Sequence, residues 1–362
     1  MNQDPSAAAL AAVHAVSHRR SNRHSWLRVL PWLYLLLVVA LILFMRLAGE
    51  RWVLATLMLY GPRWLILIPL LPMAYWAARY HRRSLLPLAI AAGIVLGPLM
   101  GFCFPWGRFR RASTPSITIL SCNTKGHCSK NERLNKLVHQ SGVDVVVLQD
   151  CFQPVDIDWP LDWNILQKGE LLFASPFPLK YIVPPADLGY DNDHREKVLL
   201  CSVVLPQGEL RLATVHLQSP HVGIARVINR RHGLEPDQAG AIEEESDERW
   251  QESKTIASGL LDAKIDAVVG DFNLTDDNPI YRRYWSSFTD AFGACGFGFG
   301  GTERPTVWFP YRVRIDHVLT RGVWRPSKCW VEDEVGSDHL PIVARIYASD
   351  EVRRDTDNRV PR

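Results

Sequence analysis

Lysine is missing from the first 111 residues of this 362-residue chain, and acids nearly so: thirteen Arg stand against only Asp4 and Glu50. The overall charge of +3 therefore averages a segment of net +11 with a remainder of net −8, two physically different halves. No CxxC pair and no Cys/His ligand spacing occurs, which leaves no zinc motif to build on. No internal repeat occurs either. The acidic balance of the second half weighs against tight nonspecific DNA binding, because neutralising phosphates needs clustered Lys and Arg.

What the first half does contain is apolar sequence. Val29 to Met45 and Ser84 to Gly107 are uncharged, and a bilayer core needs about 20 apolar residues in a helix, with ~17 still adequate. Between them Trp52 to Ala78 is apolar but broken at Gly61-Pro62-Arg63. A signal peptide is the alternative for the first run, yet its apolar core is longer than the usual ~7–15 residues and no small-residue cleavage site follows. Buried core helices are a further alternative. Trp26, Trp32, Trp52, Trp64, Trp76 and Trp106 lie near run ends, as an interfacial aromatic belt places them. The expectation is a cytoplasmic segment 1–28, a multi-pass membrane region 29–106 of about three helices, and a polar linker 107–116. Arg19, Arg20, Arg23 and Arg28 with Arg79, Arg82 and Arg83 favour a cytoplasmic N-terminus, against Arg46, Arg51, Arg63, Arg108, Arg110 and Arg111. Three spans then put the second half on the extracytoplasmic side. Six cysteines there would allow three disulfides if it is exported.

In residues 117–348 the pattern begins as strand, helix, strand. Ile117–Cys122 is rich in β-branched residues, Leu134, Leu137 and Val138 are helically spaced before Gly142, and Val143–Gln149 follows. Strands are expected at Leu171–Ala174, Lys197–Leu205, Leu210–Leu217, Ala267–Val269, Arg314–Thr320 and Ile342–Tyr347, with a hairpin turn at Pro206–Glu209. His221–Gln251 is polar and reads as a solvated loop entering a helix, although Arg226, Arg230, Arg231 and His232 are candidates to line a cleft. The tail 349–362 reads as disordered.

Short polar clusters sit at or just beyond the ends of the apolar runs: Ser121-Cys122-Asn123, Leu148-Gln149-Asp150, Thr214–Leu217, Gly270-Asp271-Phe272-Asn273, Arg314–His317 and Ser337–Pro341. Strand ends hand side chains to a cleft, so the repeated Asn, Asp and His point to one shared site. Asn and Asp are hard oxygen ligands that suit magnesium, manganese or calcium. Asn123 and Asp150 converge at one edge if their strands are parallel neighbours. Asp271 and Asn273, two apart on an extended strand, would point the same way with Phe272 packed behind. His216 is a candidate to donate to a phosphate oxygen or protonate a leaving group. Asp316 would orient His339, leaving its other nitrogen to take a proton from water and Asp338 free for metal.

Together these residues resemble the endonuclease/exonuclease/phosphatase superfamily, the DNase I-like hydrolases, from Ile117 to about Ala348. The resemblance implies a four-layer α/β sandwich, two packed mixed sheets flanked by helices; spacing alone supports only a mixed α/β or α+β domain. It implies that Asn123 and Asp150 match the metal-site Asn and acid, with Asp338 a second metal contact. His216 would match the phosphate-contacting histidine, Asp271 and Asn273 the pair around the attacking water, and Asp316 with His339 the dyad. The acid after Gln149 is usually Glu in the family, and Asp150 withdraws the carboxylate by roughly 1.5 Å, one C–C bond.

The expected activity is a membrane-anchored phosphodiesterase dependent on Mg2+ or Mn2+, acting on a lipid headgroup or inositol phosphate; a tethered nuclease acting on nucleic acid is the alternative. A catalytically inactive binding protein on the same fold is the alternative of another class, with Asp150 its sequence support. No protein partner is evident.

Overall fold

The computed structural model describes residues 25–109, 115–126, 132–152, 157–185, 188, 196–206, 208–220, 228–229, 233–234, 239–304 and 311–349. Arg226, Arg230, Arg231, His232 and Cys128, most of the N-terminal segment, much of the linker and the tail lie outside them.

The chain divides into two compact units. One comprises the described residues up to Phe44 with Arg63–Met100; the other comprises Met45–Pro62 with Gly101 onward. In the first, α1 (Leu30–Ala48) runs most of its length, followed after residue 62 by α3 (Leu70–Tyr80) and α4 (Leu85–Ile94); α2 (Val53–Tyr60) belongs to the second unit. Leu30–Ala48 and Arg82–Leu99 are long and apolar enough to cross a membrane. Val53–Tyr60 and Arg63–Tyr80 are separated by the Gly61-Pro62 break. The region 29–106, expected to hold about three membrane helices, includes a segment, Met45–Pro62, that packs with the polar half.

The second unit is built on two six-stranded mixed sheets. The first contains β1 (Ser116–Asn123), β2 (Val145–Gln149), β3 (Asn164–Lys168), β4 (Leu171–Ser175), β13 (Trp324–Val331) and β14 (Ile342–Ala348), in the order β13-β14-β1-β2-β4-β3. The second contains β5 (Leu179–Ile182), β6 (Val198–Leu205), β7 (Gly208–His216), β10 (Ala267–Asp271), β11 (Thr289–Asp290) and β12 (Asp316–Thr320), in the order β11-β12-β10-β7-β6-β5. A short pair, β8 (Ile228–Asn229) and β9 (Gly233–Leu234), stands apart. Each large sheet has one parallel pair at its centre, β1/β2 and β7/β10, and antiparallel neighbours outside it.

Alternation along the strands sorts side chains into layers. Ile117, Ile119, Val145, Val147 and Phe173 of the first sheet meet Cys201, Leu212, Val269 and Val318 of the second in the central core. Leu120, Cys122, Val146 and Leu148 face the other way, onto Leu134 and Val138 of α5 (Glu132–Gln140). Leu200, Ala213, Val215 and Val268 face Ile256, Ala257 and Leu260 of α6 (Ala239–Asp262) and Ile280 of α7 (Pro279–Tyr284). Helix, sheet, sheet, helix is the four-layer sandwich expected. Cys103, Cys122, Cys201 and Cys329 are free cysteines.

Candidate active site

Strand register does most of the assembly. Asp271, last on β10, pairs with His216 at the end of β7 and with Asp316 at the start of β12, so three candidate residues stand side by side across three strands. Because β12 runs antiparallel, its beginning lies at the edge where β7 and β10 end. Asp316 therefore opens its strand, two residues inside the expected run Arg314–Thr320. In the other sheet Asn123 pairs with Gln149 across β1/β2, and Asp338 and His339 precede β14, which is antiparallel to β1. The two sheets meet where Asn123 Nδ2 donates to Asp271 Oδ2 at 2.9 Å.

Asp271 is the centre. Its Oδ1 accepts the Asn273 amide at 2.9 Å, and its Oδ2 lies 3.8 Å from His216 Nε2 and 3.9 Å from His339 Nε2. Each imidazole is backed by acid on its far nitrogen. His339 Nδ1 is 2.9 Å from Asp316 Oδ2, while His216 Nδ1 is 3.2 Å from Glu170 Oε1 and 3.4 Å from Asp150 Oδ1. Two acid–histidine dyads thus flank one buried carboxylate. Ser337 Oγ donates to the Asn123 carbonyl and accepts the His339 amide, and Thr302 Oγ1 accepts the amides of Ile315 and Asp316, which pins the His339–Asp316 dyad from both sides.

Burial and mutual charge set the protonation. Burial, then the charge of Asp316, pushes the Asp271 carboxyl up to about 6, against the lowering pull of His339, His216 and Asn123. Burial alone would lower His339, but Asp316 and Asp271 outweigh it and raise the imidazole to about 10. His216 is raised in the same way, burial being overcome by Glu170, Asp271 and Asp150. Without a cation, His339 holds its proton at neutral pH.

Glu170 escaped the sequence reading. It immediately precedes β4, which is antiparallel to β2, so its carboxylate emerges at the same edge as Asp150. The signal was a lone acid after Gly169 ahead of an apolar run, on the starting side of a strand. Asn273 also differs from expectation. Its φ is +51°, left-handed and not extended, and its Nδ2 donates to the Leu217 carbonyl at 2.8 Å, so it does not align with Asp271. Phe272 does pack behind, fully buried against Trp285 and Tyr281.

The donors suit a hard divalent cation. Asp150, Glu170 and His216 bring ligand atoms within 4.8 Å of one another, as do Asp271, Asp316 and His339. Asp316 Oδ1 and Asp338 Oδ1 are buried without a hydrogen-bond partner, which is costly unless an ion or water serves them. Asp338 falls outside these two groups and pairs through Oδ2 with Lys125 Nζ, while Asn123 Oδ1 accepts the Lys125 amide at 2.9 Å.

Behind the site a second buried network includes the Met45–Pro62 segment. Glu50 pairs with Arg249 of α6 at 2.5 Å and accepts from Asn278 Nδ2 at 2.5 Å. The Tyr60 hydroxyl donates to the Asn273 carbonyl at 3.0 Å, and Arg249 Nη2 donates to the same oxygen at 2.8 Å. Burial would lower the Arg249 guanidinium, but Glu50 more than compensates and raises it.

The family model described as Endonuclease/Exonuclease/phosphatase family matches residues 120–339. A comparison with curated proteins finds no match. Among solved structures, D. rerio TDP2 complexed with a single-strand DNA product is similar at 16% identity and a TM-score of 0.46, over 64% of this chain and 99% of that one. An endonuclease/exonuclease/phosphatase family protein from Bacteroides thetaiotaomicron is similar at 15% identity and TM-score 0.45, over 65% and 96%. Sphingomyelinase C from Streptomyces griseocarneus is similar at 17% identity and TM-score 0.39, over 64% and 99%.

Proposed function

The chain belongs to the endonuclease/exonuclease/phosphatase family, and from that premise we propose that it is a membrane-anchored, divalent-metal-dependent phosphodiesterase. The observation that carries this is the pair of acid–histidine dyads on either side of Asp271. His339, oriented by Asp316, takes the proton of the attacking water; His216, oriented by Glu170, faces it across Asp271 and donates to a phosphoryl oxygen or the departing alkoxide. Asn123 and Asn273 hold Asp271 in place through its two oxygens.

Magnesium or manganese would be held by Asp150, Glu170, Asn123 and Asp338. When bound, the ion would supply Lewis-acid stabilisation of phosphoryl charge and a positive charge opposing that of the carboxylates around His339, the residue that takes the proton. Glu170 provides a second carboxylate beside the shortened Asp150, which favours a live enzyme over an inactive scaffold. Titration calorimetry with magnesium reads this directly: the wild type binds, and Asp150→Glu changes affinity without creating it.

Anchorage rests on Leu30–Ala48 and Arg82–Leu99. With Arg63–Tyr80 as a further crossing between them, the chain would span the bilayer three times. The arginines before α1 and those at 79, 82 and 83 then share the cytoplasmic side, with the site extracytoplasmic. Alkaline phosphatase fused after Arg362 should be active.

The test of activity is hydrolysis by the full chain, with magnesium or manganese, of bis(p-nitrophenyl) phosphate, sphingomyelin, inositol phosphates and DNA. Metal-dependent turnover abolished by His339→Ala is expected, with preference among the last three naming the substrate class. No turnover on any of them would overturn the proposal.

A further inference from the structure

Five large aromatic side chains of the second unit are left in solvent together. Phe102, Phe104, Trp106, Phe297 and Phe299 are 40–72% exposed, yet they touch one another: Phe102 meets Phe297 and Phe299 edge-on at 5.5 and 5.2 Å, and Phe104 meets Trp106 at 4.7 Å and Phe297 at 6.4 Å. The arrangement is built. Cys103 and Gly298 exchange two backbone hydrogen bonds of 2.8 and 3.0 Å, and Gly298 and Gly300 take φ of +96° and +62°, which turn the loop so that Phe297 and Phe299 stand out from it. Neither Gly101–Gly107 nor Gly296–Gly301 contains a charge, while Arg108, Arg110 and Arg111 follow directly in the sequence.

Exposed, contiguous aromatic surface marks a docking face, and aromatic rings at the headgroup level are its membrane form. Chain length identifies the occupant. Leu99 ends the second stretch able to cross a bilayer, and Phe102 is three residues later, no more than ~11 Å away along an extended chain. We propose that this aromatic face docks on the headgroup–acyl boundary of the bilayer that holds the chain, with the adjacent arginines favouring anionic lipid. The inference rests on the membrane-anchored reading above.

Docking would also orient the site. The loop that carries Phe297 and Phe299 continues to Thr302, whose hydroxyl accepts the Asp316 amide and whose carbonyl accepts the Leu340 amide at 2.7 Å, and to Glu303, which bridges to His339. One short loop therefore joins the aromatic face to the His339–Asp316 dyad.

The test uses the full chain reconstituted into phosphatidylcholine–phosphatidylglycerol vesicles, with photoreactive benzoylphenylalanine placed singly at 297, at 299, at Leu36 on the exposed face of α1, or at Leu161, an exposed residue elsewhere in the second unit. Lipid adducts are expected from 297, 299 and 36, and at least tenfold fewer from 161. Adducts from 36 but not from 297 or 299 would overturn the docking face while leaving the anchor standing; no lipid adduct from any position would remove both. Adducts of 297 with a second copy of the chain, or equal labelling from 161, would also overturn it.

Discussion

Asp271 has to serve two imidazoles at once, and its consequences are measurable one atom at a time. Replacing Asp316 by Asn keeps a group for His339 Nδ1 to meet but removes the charge that, with Asp271, holds the imidazole near about 10. Asp316→Asn should lower kcat by roughly 10²–10⁴ with little change in KM, read by steady-state hydrolysis of bis(p-nitrophenyl) phosphate. Glu170→Gln is the matching change on the other side. It should depress the His216 titration, followed by NMR of the imidazole, and an unchanged His216 would show that Glu170 does not orient it. The buried thiols are predicted to be inert: burial pushes Cys201 up to about 12 and raises Cys122 and Cys329, so thiol reagents should label them only on unfolding.

At the level of strands and helices, direction decides which end of an apolar run to inspect. Asn123, Asp150, His216 and Asp271 were legible because β1, β2, β7 and β10 end at the site edge. Glu170 was not, because β4 starts there, and a search for residues after strands passes over the one before. β13 was missed altogether: it is an edge strand interrupted by Pro326, where the register shifts, and proline demotes a strand in any pattern reading. Asn273 was misplaced because alternation was extended two residues past the end of β10, where the backbone turns left-handed. The glycine of the same motif has a firmer reason. Gly270 sits at φ +142°, and a Cβ there would lie 2.2 Å from the Val215 carbonyl oxygen of β7. Gly270→Ala should destabilise the fold by at least ~1–3 kcal/mol in denaturant titration, because neither the conformation nor the strand spacing can yield. At the other end of this sheet Asp290 caps α8 (Ala291–Cys295) by accepting the Phe292 amide. Burial would raise its carboxyl, but His317 and Arg314 prevail and hold it at about 2, below its ordinary 3.8. A depressed acid stabilises the fold above its unfolded pKa and loses that contribution as pH falls toward the folded value. Between pH 4 and 2 roughly 2 kcal/mol should disappear, and Asp290→Asn should flatten this acid limb of the stability profile.

For the whole molecule, the division of the chain matters more than its layers. The sandwich was legible through the family resemblance, but nothing in the spacing showed that Met45–Pro62 would join it, since the partners of Glu50 and Tyr60 lie some two hundred residues away. Glu50→Ala leaves the Arg249 guanidinium buried without its acid, which should destabilise the second unit by ~3–5 kcal/mol, seen as a lowered melting temperature. A chain shortened to begin at residue 107 should show the same loss, while Glu50→Ala with Arg249→Met should recover part of it. Synthesis sets a further demand on this pair. Arg249 follows Glu50 by 199 residues, so at about 5–20 residues per second the acid waits on the order of 10–40 s for its partner. Throughout that interval the carboxylate beside α1 has the Tyr60 hydroxyl but no guanidinium, so the nascent segment has to stay wet. Biogenesis thus carries its own checkpoint: the turn after α1 is left open until Arg249 arrives to close it.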